Sequence, residues 1–162
     1  SFGETMQWYI GQNLHKWFLK EAISNLGAAR GKIVLLRRFQ SPKSLGIPAT
    51  DWGHDGFFLG TNLFVQDRFK IPDSKAKWET IQKAFEHSQA DFSDRLHLHF
   101  TSGYTQNRLG IPNITSISNP INQKLAVYLK MAPRLHHGCI ALDFITPELV
   151  EAIYQLNFSA NN

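Results

Sequence analysis

Apolar positions along this chain change period as it proceeds. Over residues 4–25 they recur at helical spacing, with Met6, Ile10 and Leu14 at i, i+4 and i+8 and Trp17, Phe18 and Leu19 following. Gly11 weakens the middle of that stretch and Gly27 is a stop signal. A strand is predicted over residues 31–39, where Ile33, Val34, Leu35 and Leu36 form an unbroken apolar block of the kind a strand buried on both faces carries. A long Pro/Gly/Ser-rich segment over 40–56 comes next, and a second strand ends at Phe64-Val65-Gln66-Asp67. Pro72 and Asp73 open a helix whose apolar face is Trp78, Ile81 and Phe85. Residues 96–101 make a third strand, and 102–118 another long loop. Asn119-Pro120 reads as a cap followed by proline at the first helical position, with Ile121, Leu125 and Leu129 as the stripe. A fourth strand is predicted over 138–145. Thr146-Pro147-Glu148 then caps a last helix that buries Leu149, Val150 and Ile153.

Strands alternating with helices imply parallel βα units. Four such units are too few to close an eight-stranded barrel, and the pattern fits either a small open sheet or half of a barrel. The chain opens on Ser1, directly before the helical pattern, which leads one to expect a further N-terminal part.

Composition narrows the class. At 162 residues, 43% hydrophobic and 12% aromatic, the chain is a globular domain, not a disordered one. The formal net charge of +4 is dispersed, with no Lys/Arg run to mark nucleic-acid binding. A mild positive balance suits a phosphate ester or an anionic lipid surface. The single cysteine, Cys139, lies in an apolar run and reads as a small core residue. No stretch reaches the roughly 18 apolar residues of a membrane span.

Polar residues at the C-terminal ends of parallel strands face the site in such folds. Here these are Arg37, Arg38, Asp67, Thr101, Ser102 and Asp143. Asp143 stands between Leu142 and Phe144, where a charge is costly unless paired. It fits a structural ion pair with an arginine such as Arg38. It fits equally a carboxylate that orients a histidine or accepts from sugar hydroxyls, since Arg donates and Asp accepts. His97 and His99 share one face of a strand. That spacing serves a catalytic metal in some barrel hydrolases, with Asp143 as a further ligand, but without a second His or carboxylate cluster to support a metal, hydrogen-bonded structural histidines are the favoured reading. His136-His137 and His54-Asp55 read as surface turns. Trp52, Leu109 and Ile111 either touch lipid or pack over a rim. No GxGxxG, Walker A, HExxH or GxSxG motif occurs.

Five segments in order resemble a known family. The run ARGKIVLLRRF at 29–39 looks like the fifth-strand motif of bacterial-type phosphatidylinositol-specific phospholipases C. VQDRFK at 65–70 looks like the sixth strand, and HFTS at 99–102 the seventh. ISNPI at 117–121 resembles the start of the following helix, and LDFI at 142–145 the eighth strand. The resemblance runs from about residue 25 to the end. It implies an α/β fold, the C-terminal half of a distorted TIM barrel comprising strands 5–8 with their helices, over residues 1–162 as one unit.

That family cleaves phosphatidylinositol or its glycosylated form. The inositol 2-hydroxyl attacks phosphorus, diacylglycerol leaves, and a cyclic inositol phosphate remains. The reaction needs a general base, a general acid and a cation at the phosphate. In the family the acid and base are histidines of the first barrel half. Its Gly-Thr-His-Asp-Ser motif does not occur here in order and place. The resemblance implies that Asp143 orients the general-base histidine and that Arg38 and Asp67 bind inositol hydroxyls. Phe69 stands where some members stack a tyrosine on the inositol ring.

The expected protein is thus part of a phosphorus–oxygen lyase, needing no cofactor and inactive alone. The expected partners are the N-terminal half of the same barrel, as a separate chain or cleaved fragment, a phosphoinositide headgroup and, transiently, a membrane surface, but no nucleic acid. Its expected location is extracellular or at a membrane surface. Two other readings stand beside it: a non-catalytic inositol- or lipid-binding module, and a metal-dependent barrel hydrolase using His97 and His99.

Overall fold

The computed structural model describes residues 1–41, 44–91, 93–131 and 136–158. Its contacts divide the chain into two compact units, residues 1–53, 58–64 and 93–96, and residues 54–57, 65–92 and 97–162.

The first unit begins with helix α1 (Phe2–Gln12), closed by a capping box in which the Ser1 hydroxyl accepts from the Glu4 amide. The helix stops well short of residue 25. A single 3-10 turn at Leu14–Lys16 leads into a short strand, β1 (Trp17–Phe18), which the helical reading of this stretch missed. Consecutive aromatics favour an extended chain, and pairing with a neighbouring strand decides the matter. A one-turn helix, α2 (Leu26–Ala29), precedes β2 (Ile33–Val34) and β3 (Leu36–Arg37). β1 pairs in parallel with β2, and β3 with β4 (Ile47–Pro48). The predicted strand over 31–39 is therefore two short pieces. It is not buried on both faces, since Ile33 is 53% and Val34 39% exposed. Among the described residues, no helix lies between β3 and β5. The turn before β4 depends on Gly46. Its φ is +68°, and a side-chain carbon there would lie 2.5 Å from the Leu35 carbonyl oxygen.

Strands β5 (Gly56–Leu59) and β6 (Leu63–Asp67) follow, joined through the Gly60 amide, which donates to the Leu63 carbonyl. The main sheet has the order β10-β7-β6-β5 once β7 (Leu96–Phe100) and β10 (Cys139–Ala141) are added. In the second unit β10 runs parallel to β7. The helices there are α3 (Ser74–Ala90), α4 (Thr115–Met131) and α5 (Pro147–Gln155). Ile81, Phe85, Ile117, Ile121, Leu125, Leu129 and Leu149 form its apolar core, with Trp78 partly buried against it.

Caps predicted at Asp73 and Thr146 are present, accepting from the amides of Ala76 and Leu149. The predicted start of α4 at Asn119-Pro120 is not. The helix begins one turn earlier, where the Asn113 carboxamide accepts from the Ser116 amide, and Pro120 sits inside it. Starting there lets Ile117 head the stripe Ile117, Ile121, Leu125, Leu129, all buried at steps of four. The fourth strand ends at Ala141 and does not continue to 145. Asn122 donates to the carbonyls of Asp143 and Phe144, and Phe144 takes φ of +53°. Val150, expected in the core, is exposed on α5. Cys139, expected there too, is exposed on the edge strand β10.

Candidate functional site

In the second unit, Asp67 ends β6 and Asp143 follows β10 by two residues, both half-buried. On the first turn of α3 lies Lys77, wholly buried, its ammonium donating to the Arg68 carbonyl at 2.6 Å. Burial drives its pKa down to about 8. The carboxylates of Asp67, Asp55 and Asp143 oppose that shift, and Arg68 adds to it. One cation thus feels both predicted site carboxylates, which come from different strands.

Asp55 fixes the backbone beyond Asp67, its carboxylate accepting from the amides of Phe69 at 2.8 Å and Lys70 at 3.3 Å. His54-Asp55 was expected to be a solvated turn; Asp55 is exposed and also acts as a local clamp. The Phe69 ring meets the Tyr104 ring at 6.0 Å between centroids, tilted by 33°, and the Tyr104 amide donates to the Phe69 carbonyl. The Phe69 position therefore has a phenol beside it after all, supplied from another loop. Thr101 is buried, donating through its amide and hydroxyl to the Ala141 carbonyl.

Arg38 lies in the first unit. Its guanidinium donates to the Trp52 and Gly53 carbonyls at 2.8 and 3.0 Å and stands over the Trp52 ring at 4.5 Å. Arg37 turns the other way, into the Leu45 and Phe39 carbonyls. Alternation along the chain thus gives the two arginines different tasks, one inward and structural, one outward.

His97 and His99 share a face, as their spacing requires, and that face packs on α3. The Ser88 hydroxyl lies 2.8 Å from His97 Nδ1 and 2.7 Å from His99 Nε2, and Asp91 Oδ2 lies 3.2 Å from His97 Nε2. Burial and the neighbouring His97, His137 and His87 push the His99 pKa down to about 3. This geometry supports the structural reading of the pair. Among the described residues, no three His, Cys, Asp or Glu side chains are grouped to hold a metal. His137 corrects another expectation: it is not on a surface turn but 4% exposed, its ring edge-on to Phe85 and Tyr128. His136 beside it is exposed.

The loop after β7 is ordered by an antiparallel pair, β8 (Thr105–Gln106) and β9 (Pro112–Asn113). Asn107 Oδ1 accepts from the Leu109 and Ile111 amides, and Gly110 turns the tip with φ of +76°. That tip presents Leu109 at 83% and Ile111 at 56% exposure.

Lys77, Asp55 and Tyr104 were missed in the sequence. Lys77 did carry a signal. It stands four and eight residues before Ile81 and Phe85, on the buried stripe of its helix, where a lysine is out of place.

No protein-family model matches the sequence, and no curated protein does. Solved structures do match. A Staphylococcus aureus phosphatidylinositol-specific phospholipase C carrying pentafluorophenylalanine aligns with TM-score 0.73 at 20% identity, over 94% of this chain and 58% of that one. The Listeria monocytogenes enzyme of the same name aligns with TM-score 0.67 at 18% identity, over 98% of this chain and 58% of that one. A third structure, from work on modulating membrane binding by the S. aureus enzyme, aligns with TM-score 0.63 at 22% identity, over 93% and 58%. The chain spans 58% of the length of these neighbours. Along nearly all of its own length, this chain has the partial TIM-barrel fold of the bacterial phosphatidylinositol-specific phospholipases C.

Proposed function

We propose that this chain is part of a phospholipase C-type lyase that cleaves phosphatidylinositol, or its glycosylated form, to diacylglycerol and a cyclic inositol phosphate. In this reading Asp67 accepts from inositol hydroxyls and Phe69 offers the ring a stacking face; Arg38, in the first unit, is a donor to inositol hydroxyls. Asp143 orients a general-base histidine supplied by another segment, the N-terminal half of the barrel. That segment also brings the general acid and the phosphate-binding cation, so the chain alone does not turn over. The Leu109/Ile111 tip reaches the lipid surface, and the assembled enzyme works outside the cell or at a membrane face.

One observation carries the reading. In a chain with this fold, two half-buried carboxylates stand at the C-terminal ends of different strands of one sheet, Asp67 closing β6 and Asp143 just beyond β10. That is where a parallel α/β fold places its ligand. The test measures myo-inositol binding to the chain by NMR, and cyclic inositol phosphate release after adding a histidine-bearing N-terminal barrel half. Asp67→Asn is expected to weaken inositol binding about tenfold or more, the loss of a charged hydrogen-bond acceptor. Asp143→Asn is expected to spare binding and reduce turnover in the assembled enzyme. Binding without turnover in any assembly would favour the non-catalytic module, and no binding at all would overturn both.

A further inference from the structure

Tyr104 has no part in any step above, yet it stands beside a residue that does. Its ring lies 6.0 Å from the Phe69 ring between centroids, tilted by 33°. Both residues are half-buried, so each keeps part of its ring accessible. In the same unit Tyr128 uses its hydroxyl for structure, accepting from the Gln89 carboxamide at 3.2 Å. The Tyr104 hydroxyl has no such partner among the described residues.

The backbone holds Tyr104 in place without help from the phenol. Its amide donates to the Phe69 carbonyl at 2.8 Å, and its carbonyl accepts from the Ile71 amide at 3.2 Å. Lys70 and Tyr104 thereby form a parallel bridge, which carries the pairing of the neighbouring strands β6 and β7 past their C-terminal ends. Glycine at 103 permits the approach, since a side-chain carbon there would lie 2.9 Å from the Phe69 carbonyl oxygen. The Thr105 hydroxyl lies 2.8 Å from that of Ser116 on α4. Alternation along an extended chain sends Tyr104 to the other side, against Phe69. Phe69 itself follows Asp67 by two residues. A carboxylate, a phenyl ring and a phenol thus come from two adjacent strand ends, at the end of the sheet where parallel α/β folds bind ligands.

A cyclic polyol has C–H faces and a rim of hydroxyls. A face rests on an aromatic ring, and the rim needs donors and acceptors. An ionised Asp67 only accepts and Phe69 does neither, whereas a phenol does both. A site that hydrogen-bonds a particular hydroxyl rejects the analogue lacking it, because its own polar group is then left unpaired.

We propose that Tyr104 is a specificity-determining residue of the polyol site: its ring extends the Phe69 stacking surface, and its hydroxyl pairs with one ring hydroxyl of the ligand. This rests on the inositol reading of Asp67 and Phe69.

The experiment measures binding of myo-inositol and of the monodeoxy-myo-inositols by NMR to the parent chain, Tyr104→Phe and Asp67→Asn. Tyr104→Phe keeps the ring and removes only the hydroxyl, and is expected to weaken myo-inositol binding about three- to tenfold. Its urea midpoint is expected to stay at the parent's, which separates pairing with the ligand from a structural role. One monodeoxy compound is expected to bind the parent more weakly than myo-inositol by the same factor, and to bind Tyr104→Phe as well as myo-inositol does. In the parent, which needs no substitution, nuclear Overhauser contacts are expected between the Tyr104 ring and inositol C–H protons.

Tyr104→Phe binding myo-inositol with the parent's affinity, while Asp67→Asn binds it more weakly, would overturn this proposal and leave the inositol reading standing. So would identical ratios between myo-inositol and every monodeoxy compound in the parent and Tyr104→Phe, or the absence of Tyr104 contacts to bound inositol. A parent that binds no myo-inositol would overturn the inositol reading and this proposal with it.

Discussion

Helix α3 buries opposite kinds of group at its two ends. At its first turn a buried ammonium, Lys77, donates to the Arg68 carbonyl just past the end of β6. At its last turn the Ser88 hydroxyl joins two imidazoles of β7, with His137 edge-on to Phe85. The first end carries net charge into a place where it costs stability. Lowering the Lys77 pKa from 10.5 to about 8 corresponds to about 3 kcal/mol of destabilisation at neutral pH. At the second end His99 stays neutral, its pKa near 3. Parallel α/β folds keep ligand chemistry at the C-terminal ends of their strands and stability at the opposite ends. Lys77 stands just beyond the end of β6, and the Ser88 hydroxyl holds the two histidines of β7 at the other end of the helix.

The histidine end is expected to give the largest effect on stability. Phe85 is fully buried, with its ring 5.3 Å from His99 and 5.2 Å from His137, both edge-on, and stacked on Tyr128 at 5.5 Å. Phe85→Ala removes the wall shared by all three and is expected to cost about 3–5 kcal/mol. Urea unfolding at pH 7 measures it. A cost below about 1 kcal/mol would show that this end is not where the unit's packing is concentrated.

Acid gives the next largest effect, and its sign follows from the depressed His99 pKa. In the unfolded chain this imidazole takes its proton near 6.5, and in the folded chain near 3. The stability it contributes is complete above pH 6.5 and is lost as pH falls towards 3, at about 1.4 kcal/mol per pH unit. Between pH 7 and pH 5 the loss is about 2 kcal/mol. His99→Gln removes the titrating group and is expected to shrink the pH 7 to pH 5 difference by about that amount. An unchanged difference would assign the acid sensitivity to other groups. Lys77 acts in the opposite range: its lowered pKa makes stability rise with pH between about 8 and 10.5, because only there does the unfolded chain hold a proton the folded chain lacks.

How much of this contrast could be read in the sequence differs between the two ends. The period of two put His97 and His99 on one face, and the caps at Asp73 and Thr146 placed α3 and α5. Which face the histidines take depends on Ser88, nine residues before His97, and no local pattern reports that. Asp67 was legible because it closes an apolar strand. Asp143 was legible as a residue type but not as a position, because side-chain bonds from Asn122 end β10 before reaching it. Strand β1 was hidden, since its pairing with Ile33 and Val34 is not local. The Phe69–Tyr104 pair was hidden because it joins two loops. The exposure of Ile33 and Val34 was hidden too, because an apolar run records only a residue's preference and not whether a neighbour covers it.

The smallest effect on folding falls on the tip beyond β8, and it sharpens the contrast from the ligand side. Leu109 and Ile111 are exposed, and the tip is shaped by the Asn107 carboxamide, not by these side chains. Replacing both with serine is therefore expected to change stability by no more than about 0.5 kcal/mol, as for surface positions in general. Should the carboxylate end meet a phosphoinositide in a bilayer, the same double variant loses two apolar side chains from the interface. Partial burial of each, at about 25 cal/mol per Å², then predicts about a tenfold or greater fall in partitioning onto vesicles of phosphatidylcholine and phosphatidylinositol. Sedimentation with those vesicles measures it, and myo-inositol binding in the same variant is expected to stay at the parent's level. Equal vesicle binding by variant and parent would detach the tip from the membrane. The carboxylate end would then be a site for a soluble polyol, and the exposed Leu109 and Ile111 would need another partner.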